Sequence, residues 1–379
     1  MKIGILTQPL KTNYGGLIQA YALKTTLEKL NHEVTIINRV GFLRRNQKTS
    51  IKILSKIKKV VFKVLGKDKK LSKEIQDRID SNCTLFTQKY IKHVSKDIET
   101  INALKEYVNE MQFEGYVVGS DQVWRPSYTP CIENYFIDFC DDNNVKRIAY
   151  AASFGSDIWE YTHKETKVCS TLAKKFNSIS VREDSGVELC NKFFNVEAKH
   201  VLDPTMLLEK EEYEHIINKE NVPQSKGNLF YYFLDDNPTK QELIRHIEKE
   251  CNKTSYNCMP AKRVGDEKDI ANVEDYVFPS PAKWLRSFLD AEMVITDSFH
   301  GTVFSIIFNK PFWVIYNTHR GNTRFDSLLK MFGLTERIID ISDYSNIDFK
   351  KSINWNSVNT IKQKRKQDAI DFLKNNLNN

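Results

Sequence analysis

The sequence predicts a two-domain α/β protein built on parallel sheets. Three observations lead there. The chain has 379 residues, too many for one ordinary hydrophobic core and suited to two. It opens with strand, glycine turn, helix and strand: residues 2–7, Gly15-Gly16, 17–30 and 34–38. That βαβ start implies a parallel sheet. A second series of the same kind restarts at residue 229, after a polar stretch (221–228) that holds Pro223 and Gly227.

The remaining elements follow in order. Residues 42–95 read as helical and basic. Strands are expected at 116–119, 145–151, 178–181 and 200–202, the last stopped by Asp203-Pro204. Residues 184–194 and the charged stretch 209–220 read as helices. In the second half, strands at 229–234, 293–296 and 311–315 alternate with helices at 238–249, 280–291, 301–308 and 325–332. The expected architecture is two facing Rossmann-like domains, 1–220 and 221–355, with a cleft between them. A C-terminal helix over 358–377, within segment 356–379, packs back across the domains. In open α/β sheets ligands bind beyond the carboxyl ends of the strands, so functional residues are sought there.

Composition narrows the function. Hydrophobic residues make up 41% and the net charge is +7. The excess is local: residues 42–74 hold twelve Lys or Arg against Asp68 and Glu74. A nucleic-acid binder would spread such charge over a face of its fold, and none is expected as a partner. Within the segment, Ile53, Ile57, Val60, Val61, Val64 and Leu65 recur at helical spacing between Lys52, Lys56, Lys59, Lys63 and Lys67. Such a helix suits the surface of an anionic membrane. The plainer reading is an apolar stripe packed on the first domain with solvated lysines, a routine pattern for surface helices. Seven cysteines, an odd number without CxxC spacing and without a leading signal segment, imply a reducing cytoplasm. No apolar run is long enough to span a membrane. GxGxxG, Walker and GxSxG patterns and zinc-ligand spacings are absent. No metal and no cofactor are expected.

Five motifs follow strands. NYGGLIQAYAL (13–23) puts Asn13, Gly15 and Gly16 where a helix start can take an anion or form a plain βα turn. GSDQVW (119–124) offers Asp121, Gln122 and Trp124 as a ligand shelf, with Asp121 equally suited to capping a helix. YAASFG (150–155) brings Ser153 among small residues. SVRED (180–184) places Arg182 at a strand end, for bidentate contact with carboxylate or phosphate or for a surface salt bridge. TDSFHG (296–301) delivers Asp297, Ser298 and His300 to a strand–helix junction, and His300 alone of eight histidines has that setting. His319, Arg320 and Arg324 follow a strand and reach either an anion or a loop partner.

These motifs, with VLDPT (201–205), stand in the order seen in the polysaccharide pyruvyl transferase family, which the chain resembles over about residues 1–333. The resemblance implies a GT-B-like fold, phosphoenolpyruvate as co-substrate and a sugar hydroxyl pair as acceptor. It implies that His300 matches the family's catalytic histidine and Arg182 a donor-anion contact. Some members carry arginine where Ser298 stands here. The expected assignment is therefore His300 and Asp121 as catalytic. Asn13, Gly15, Gly16, Arg182, Ser298 and Arg324 take the donor, and Gln122, Trp124 and Ser153 take the acceptor. The setting expected is the cytoplasm, at the inner face of the membrane. Two other classes share the pattern. One is a GT-B glycosyltransferase using a nucleotide sugar, whose Glu-bearing nucleotide motif is not evident. The other is a non-catalytic glycan-binding protein, against which His300 and Arg182 argue.

Overall fold

Short apolar runs become strands because helices cover both faces of each sheet. The computed structural model describes residues 1–41, 71–264, 270–316 and 322–378. The first sheet contains β1 (Lys2–Leu6), β2 (Glu33–Ile37), β3 (Gly115–Val118), β4 (Lys146–Ala152), β5 (Ser178–Val181) and β6 (Lys199–His200). Their order is β2-β1-β3-β4-β5-β6, parallel throughout. The second contains β7 (Leu229–Tyr232), β8 (Ser255–Tyr256), β9 (Met293–Thr296), β10 (Phe312–Ile315) and β11 (Ile338–Ile339). It runs β11-β10-β9-β7-β8, again parallel. Strand order reverses between β1 and β3 in one sheet and between β7 and β9 in the other. Those reversals open crevices at the carboxyl ends.

Helix α1 (Tyr14–Lys29) begins three residues earlier than expected and draws Gly15 and Gly16 into its first turn. Residues 42–70, which carry the basic stripe proposed for a membrane surface, lie outside the described residues. Helix α2 (Lys73–Phe86) buries Ile79, Cys83 and Phe86, spaced four and three apart on one face. Helices α3 (Ile101–Met111) and α4 (His163–Ala173) were not expected, although Thr162 and Glu165 form a capping box. The helix expected over 184–194 is split. Helix α5 (Asp184–Leu189) passes into a π turn at Cys190–Phe194. Helix α6 (Lys210–Lys219) leads out of the first sheet, and its Tyr213 ring meets Phe304 edge-on at 5.1 Å.

In the second half, α7 (Pro238–Cys251), α8 (Pro281–Asp290), α9 (Phe299–Ile307) and α10 (Thr323–Phe332) surround the sheet. Helix α11 (Trp355–Leu377) returns to the first domain. Its Val358, Ala369, Phe372, Leu373 and Leu377 are buried, and Phe372 lies 6.3 Å from Tyr150. Lys366 pairs with Glu209 at 2.6 Å. One apolar cluster runs continuously through both domains, from Ile3 to Leu377. At the join, Tyr14 donates to the Pro279 carbonyl at 2.7 Å and stacks on Trp284 at 5.6 Å. The fold is thus two parallel-sheet α/β domains with a C-terminal helix. No described helix is long and apolar enough to cross a membrane, and all seven cysteines are free thiols.

Candidate active site between the two sheets

The two crevices face one another across a cleft of 660 Å³. Strand ends supply its working residues. Ser298 caps α9 by accepting from the Gly301 amide at 3.3 Å. That cap sets His300 in the first helical turn, facing the first domain. Asp297, just before it, accepts from the Leu234 and Asp235 amides at 2.6 and 3.1 Å and pairs with Lys240 at 2.6 Å. This carboxylate is therefore committed to holding β7 and β9 together.

From the first domain, Asp121 follows β3 in the left-handed region at φ 65°, a conformation that Asp tolerates better than most residues. Its Oδ1 accepts from Arg182 Nη2 at 3.1 Å and its Oδ2 from Asn13 Nδ2 at 3.4 Å. Arg182 Nη1 donates to Asp203 Oδ2 at 2.9 Å. Asp203 Oδ2 lies 3.5 Å from His300 Nε2. Asp203 Oδ1 accepts from the Thr205 amide and hydroxyl at 3.0 and 2.8 Å. The Arg182 guanidinium stacks on Phe299 at 4.4 Å, and Arg324 approaches the same ring at 5.8 Å. A chain that is buried from Asp121 through Arg182 and Asp203 to His300, and that reaches the exposed Asn13, thus crosses the domain boundary.

The electrostatics follow from this burial. Desolvation alone would raise Asp121 and Asp203. The charges of Arg182 and His300 outweigh it and hold both carboxyls below the usual range, with Arg324 also acting on Asp121. Burial opposes the charge of Arg182, but Asp121, Asp203 and Glu183 more than offset it and keep the guanidinium firmly protonated. Burial, with repulsion from Arg182, brings Arg324 down to about 10. Glu183 is pushed up by burial, with Arg182 acting against the rise. The cleft wall carries Lys11, Lys262, Arg263 and Arg324 together with Asp80, Asp121 and Asp297; Asp121 is paired with Arg182, Asp297 with Lys240 and Lys262 with Asp275 at 3.6 Å. The cationic side chains on this wall offer an anion charged hydrogen-bond donors. Among the described residues, no group of three or more His, Cys, Asp or Glu side chains is placed to hold a metal ion.

The structure gathers most of the expected residues and corrects several roles. Asn13, Asp121, Gln122, Ser298, His300 and Arg324 line the cleft. Gln122 is steadied by Arg125 Nη1 at 3.0 Å. Arg182 is no direct donor contact: its side chain is 1% exposed and committed to two carboxylates. Trp124 is no sugar platform. It is wholly buried, stacked on Phe136 at 4.8 Å, with Nε1 donating to the Tyr135 carbonyl at 3.0 Å. Ser153 is buried beneath the cleft and donates to Glu183 Oε1 at 3.0 Å. That carboxylate also takes the Phe154 and Gly155 amides at 2.7 and 3.2 Å. His319 and Arg320 lie outside the described residues. Asp203 was missed as a site residue because Asp-Pro was taken only as a strand stop. Its place at the carboxyl end of β6 was the available signal.

Gly15 and Gly16 serve close packing. A Cβ on Gly15 would stand 2.0 Å from His300 Nδ1, and one on Gly16 2.8 Å from Asn13 Nδ2. Gly15→Ala therefore displaces the imidazole while leaving α1 a better helix former. We expect about 100-fold lower turnover with an undiminished unfolding midpoint. Normal turnover in that variant shows that the ring has room to move. Trp124→Ala is expected to cost about 3–5 kcal/mol of stability, as for other large buried aromatics. Denaturant unfolding measures it. A folded, equally stable variant with a raised acceptor KM restores the platform role.

A search of curated proteins finds no match. Among solved structures the chain is similar to the UDP-GlcNAc 2-epimerase from Methanocaldococcus jannaschii, at 11% identity, with 98% of this chain and 92% of that one covered and a TM-score of 0.47. It is also similar to the UDP-GlcNAc 2-epimerase from Neisseria meningitidis bound to UDP-GlcNAc (9% identity, 83% and 82% covered, TM-score 0.44). A third likeness is to Acinetobacter baumannii MurG (10%, 98% and 97%, TM-score 0.43). The model of the polysaccharide pyruvyl transferase family matches residues 13–319. That span runs from Asn13 through Asp121, Arg182 and Asp203 to His300, and the chain belongs to the polysaccharide pyruvyl transferase family.

Proposed function

We propose that the protein transfers the pyruvyl group of phosphoenolpyruvate to two hydroxyls of one sugar, forming a pyruvate ketal and releasing phosphate. One observation carries the reading. His300 stands at the mouth of β9, 6% exposed, on a cleft whose wall carries Arg324 and further cations. A proton donor beside cationic side chains suits a donor with phosphate and carboxylate groups.

In this reading Arg324 and the cationic wall hold the phosphoenolpyruvate. His300 protonates its methylene carbon, which becomes the methyl group. The electron-poor neighbouring carbon then accepts the oxygen of the first sugar hydroxyl. Loss of phosphate and attack by the second hydroxyl close the ketal. Of the two hydroxyl protons, one restores the acid that protonated the methylene and the other leaves with phosphate. No redox step is needed. Gln122 and the cleft face beyond it take the sugar. Action in the cytoplasm, against the membrane that carries polysaccharide precursors, belongs to the same reading. Seven unpaired thiols and the Lys-rich stripe of 42–74 support it.

The test is incubation of the purified protein with phosphoenolpyruvate in D₂O, with and without free, nucleotide-linked and lipid-linked sugars. The expected result is acceptor-dependent phosphate release and a ketal methyl carrying one deuterium. Acceptor glycosylation from a nucleotide sugar, with phosphoenolpyruvate untouched, overturns the proposal in favour of a glycosyltransferase. Sugar binding without turnover of either donor overturns it in favour of a lectin-like protein.

A further inference from the structure

The two nitrogens of the His300 ring have different surroundings. Nε2 is enclosed and faces Asp203 Oδ2 at 3.5 Å. Nδ1 lies against Gly15, whose missing side chain gives the ring its place (a Cβ would sit 2.0 Å from Nδ1), and the ring lines the cleft. Asp203 is itself fixed. Both donors of Thr205 hold Oδ1, and Arg182 Nη1 and Ser120 Oγ approach Oδ2 at 2.9 and 3.5 Å. The carboxylate is 2% exposed as a residue and cannot turn without breaking these contacts. A histidine whose one nitrogen meets a fixed carboxylate keeps its proton there and works through the other nitrogen.

We propose that Asp203 is the positioning residue of His300: it holds the ring proton on Nε2 and leaves Nδ1 to exchange a proton with the substrate. The inference rests on His300 as the acid–base group, and it adds which nitrogen acts and what selects it. The 3.5 Å separation closes to a hydrogen bond when substrate fills the cleft, as such contacts tighten in the reacting complex. Arg182 then has a distinct task. It shares Asp203 Oδ2 and Asp121 Oδ1 and so locks the carboxylate facing the ring.

The decisive readout is spectroscopic. ¹⁵N NMR of the labelled protein, with His300 assigned by comparison with His300→Gln, reports the tautomer of the neutral ring. The expected wild-type state carries hydrogen on Nε2. In Asp203→Asn the two Thr205 donors keep the amide oxygen at the Oδ1 position, so the amide NH₂ replaces Oδ2, gives up the bond from Arg182 Nη1 and donates to Nε2. The proton then moves to Nδ1. Turnover is expected to fall about 100-fold or more, as when a base is held in the wrong tautomer, with the phosphoenolpyruvate KM changed less than about threefold. A purely structural Asp203 predicts no tautomer change. Hydrogen on Nδ1 in the wild type overturns the proposal, and this reading needs no variant to fold. So does an Asp203→Asn protein that keeps the wild-type tautomer or turnover. Failure of the wild-type protein to release phosphate from phosphoenolpyruvate with any acceptor overturns the proposed reaction instead, and leaves the tautomer measurement standing.

Discussion

Replacing His300 by alanine is expected to lower turnover by about two to four orders of magnitude, the usual scale of general acid–base assistance. The variant keeps its fold for a structural reason. His300 sits at the rim of α9, whose start is held by the Ser298 cap and whose body is buried through Val303, Phe304, Ile306 and Ile307. Truncating the ring opens space toward Gly15 and the cleft and leaves that core intact. Affinity for phosphoenolpyruvate is expected to change little, because Arg324 and the cationic wall remain. Single-turnover phosphate release, measured beside equilibrium donor binding, separates the two quantities. Turnover within about tenfold of wild type in a folded variant removes His300 from the chemistry.

How much of this was legible in the sequence follows from the range of each interaction. Strand ends were readable because apolar runs stop at polar residues, and the topology places functional groups there. His300, Asp121, Asn13 and Arg324 were found in that way. Trp124 satisfied the same rule and was misassigned. An aromatic ring after a strand is equally a core anchor, and its hydrogen-bond partner is a backbone carbonyl eleven residues on, at Tyr135. The role of Arg182 was hidden for a related reason. Its partners, Asp121 and Asp203, lie 61 and 21 positions away and meet it only through the order β3-β4-β5-β6. The nearer acids, Glu183 and Asp184, were the natural candidates by sequence. Yet Glu183 turns toward Ser153, Phe154 and Gly155, and Asp184 starts α5. Local chemistry thus located the site, while pairing inside it depended on long-range topology.

The second large effect concerns the burial of Arg182. Arg182→Ala is expected to destabilise the protein by about 3–5 kcal/mol at neutral pH, the cost of leaving buried charge without its partner. Asp121 loses its Arg182 bond and keeps Arg324 and His300 nearby; Asp203 keeps His300. The pH dependence identifies the cause. In the wild type both carboxyls are held below the unfolded value of about 3.9. The native state then binds fewer protons than the unfolded chain, so this stabilisation is fully present above about pH 4 and drains away as pH falls through the folded values. Without Arg182 each carboxyl loses one of the influences that lower it and rises from its wild-type position, while His300 still lowers both and Arg324 still lowers Asp121. The variant's native state then takes up these protons at higher pH than the wild type's does, so acidification costs it less. The stability gap is therefore expected to be widest near neutrality and to narrow as pH falls below about 5. Arg182→Lys closes only part of it, because one ammonium cannot replace a planar fork that bridges two carboxylates. Denaturant unfolding of the three proteins between about pH 4 and 8 measures these differences. An unchanged unfolding midpoint together with weakened phosphoenolpyruvate binding returns Arg182 to the role of donor contact.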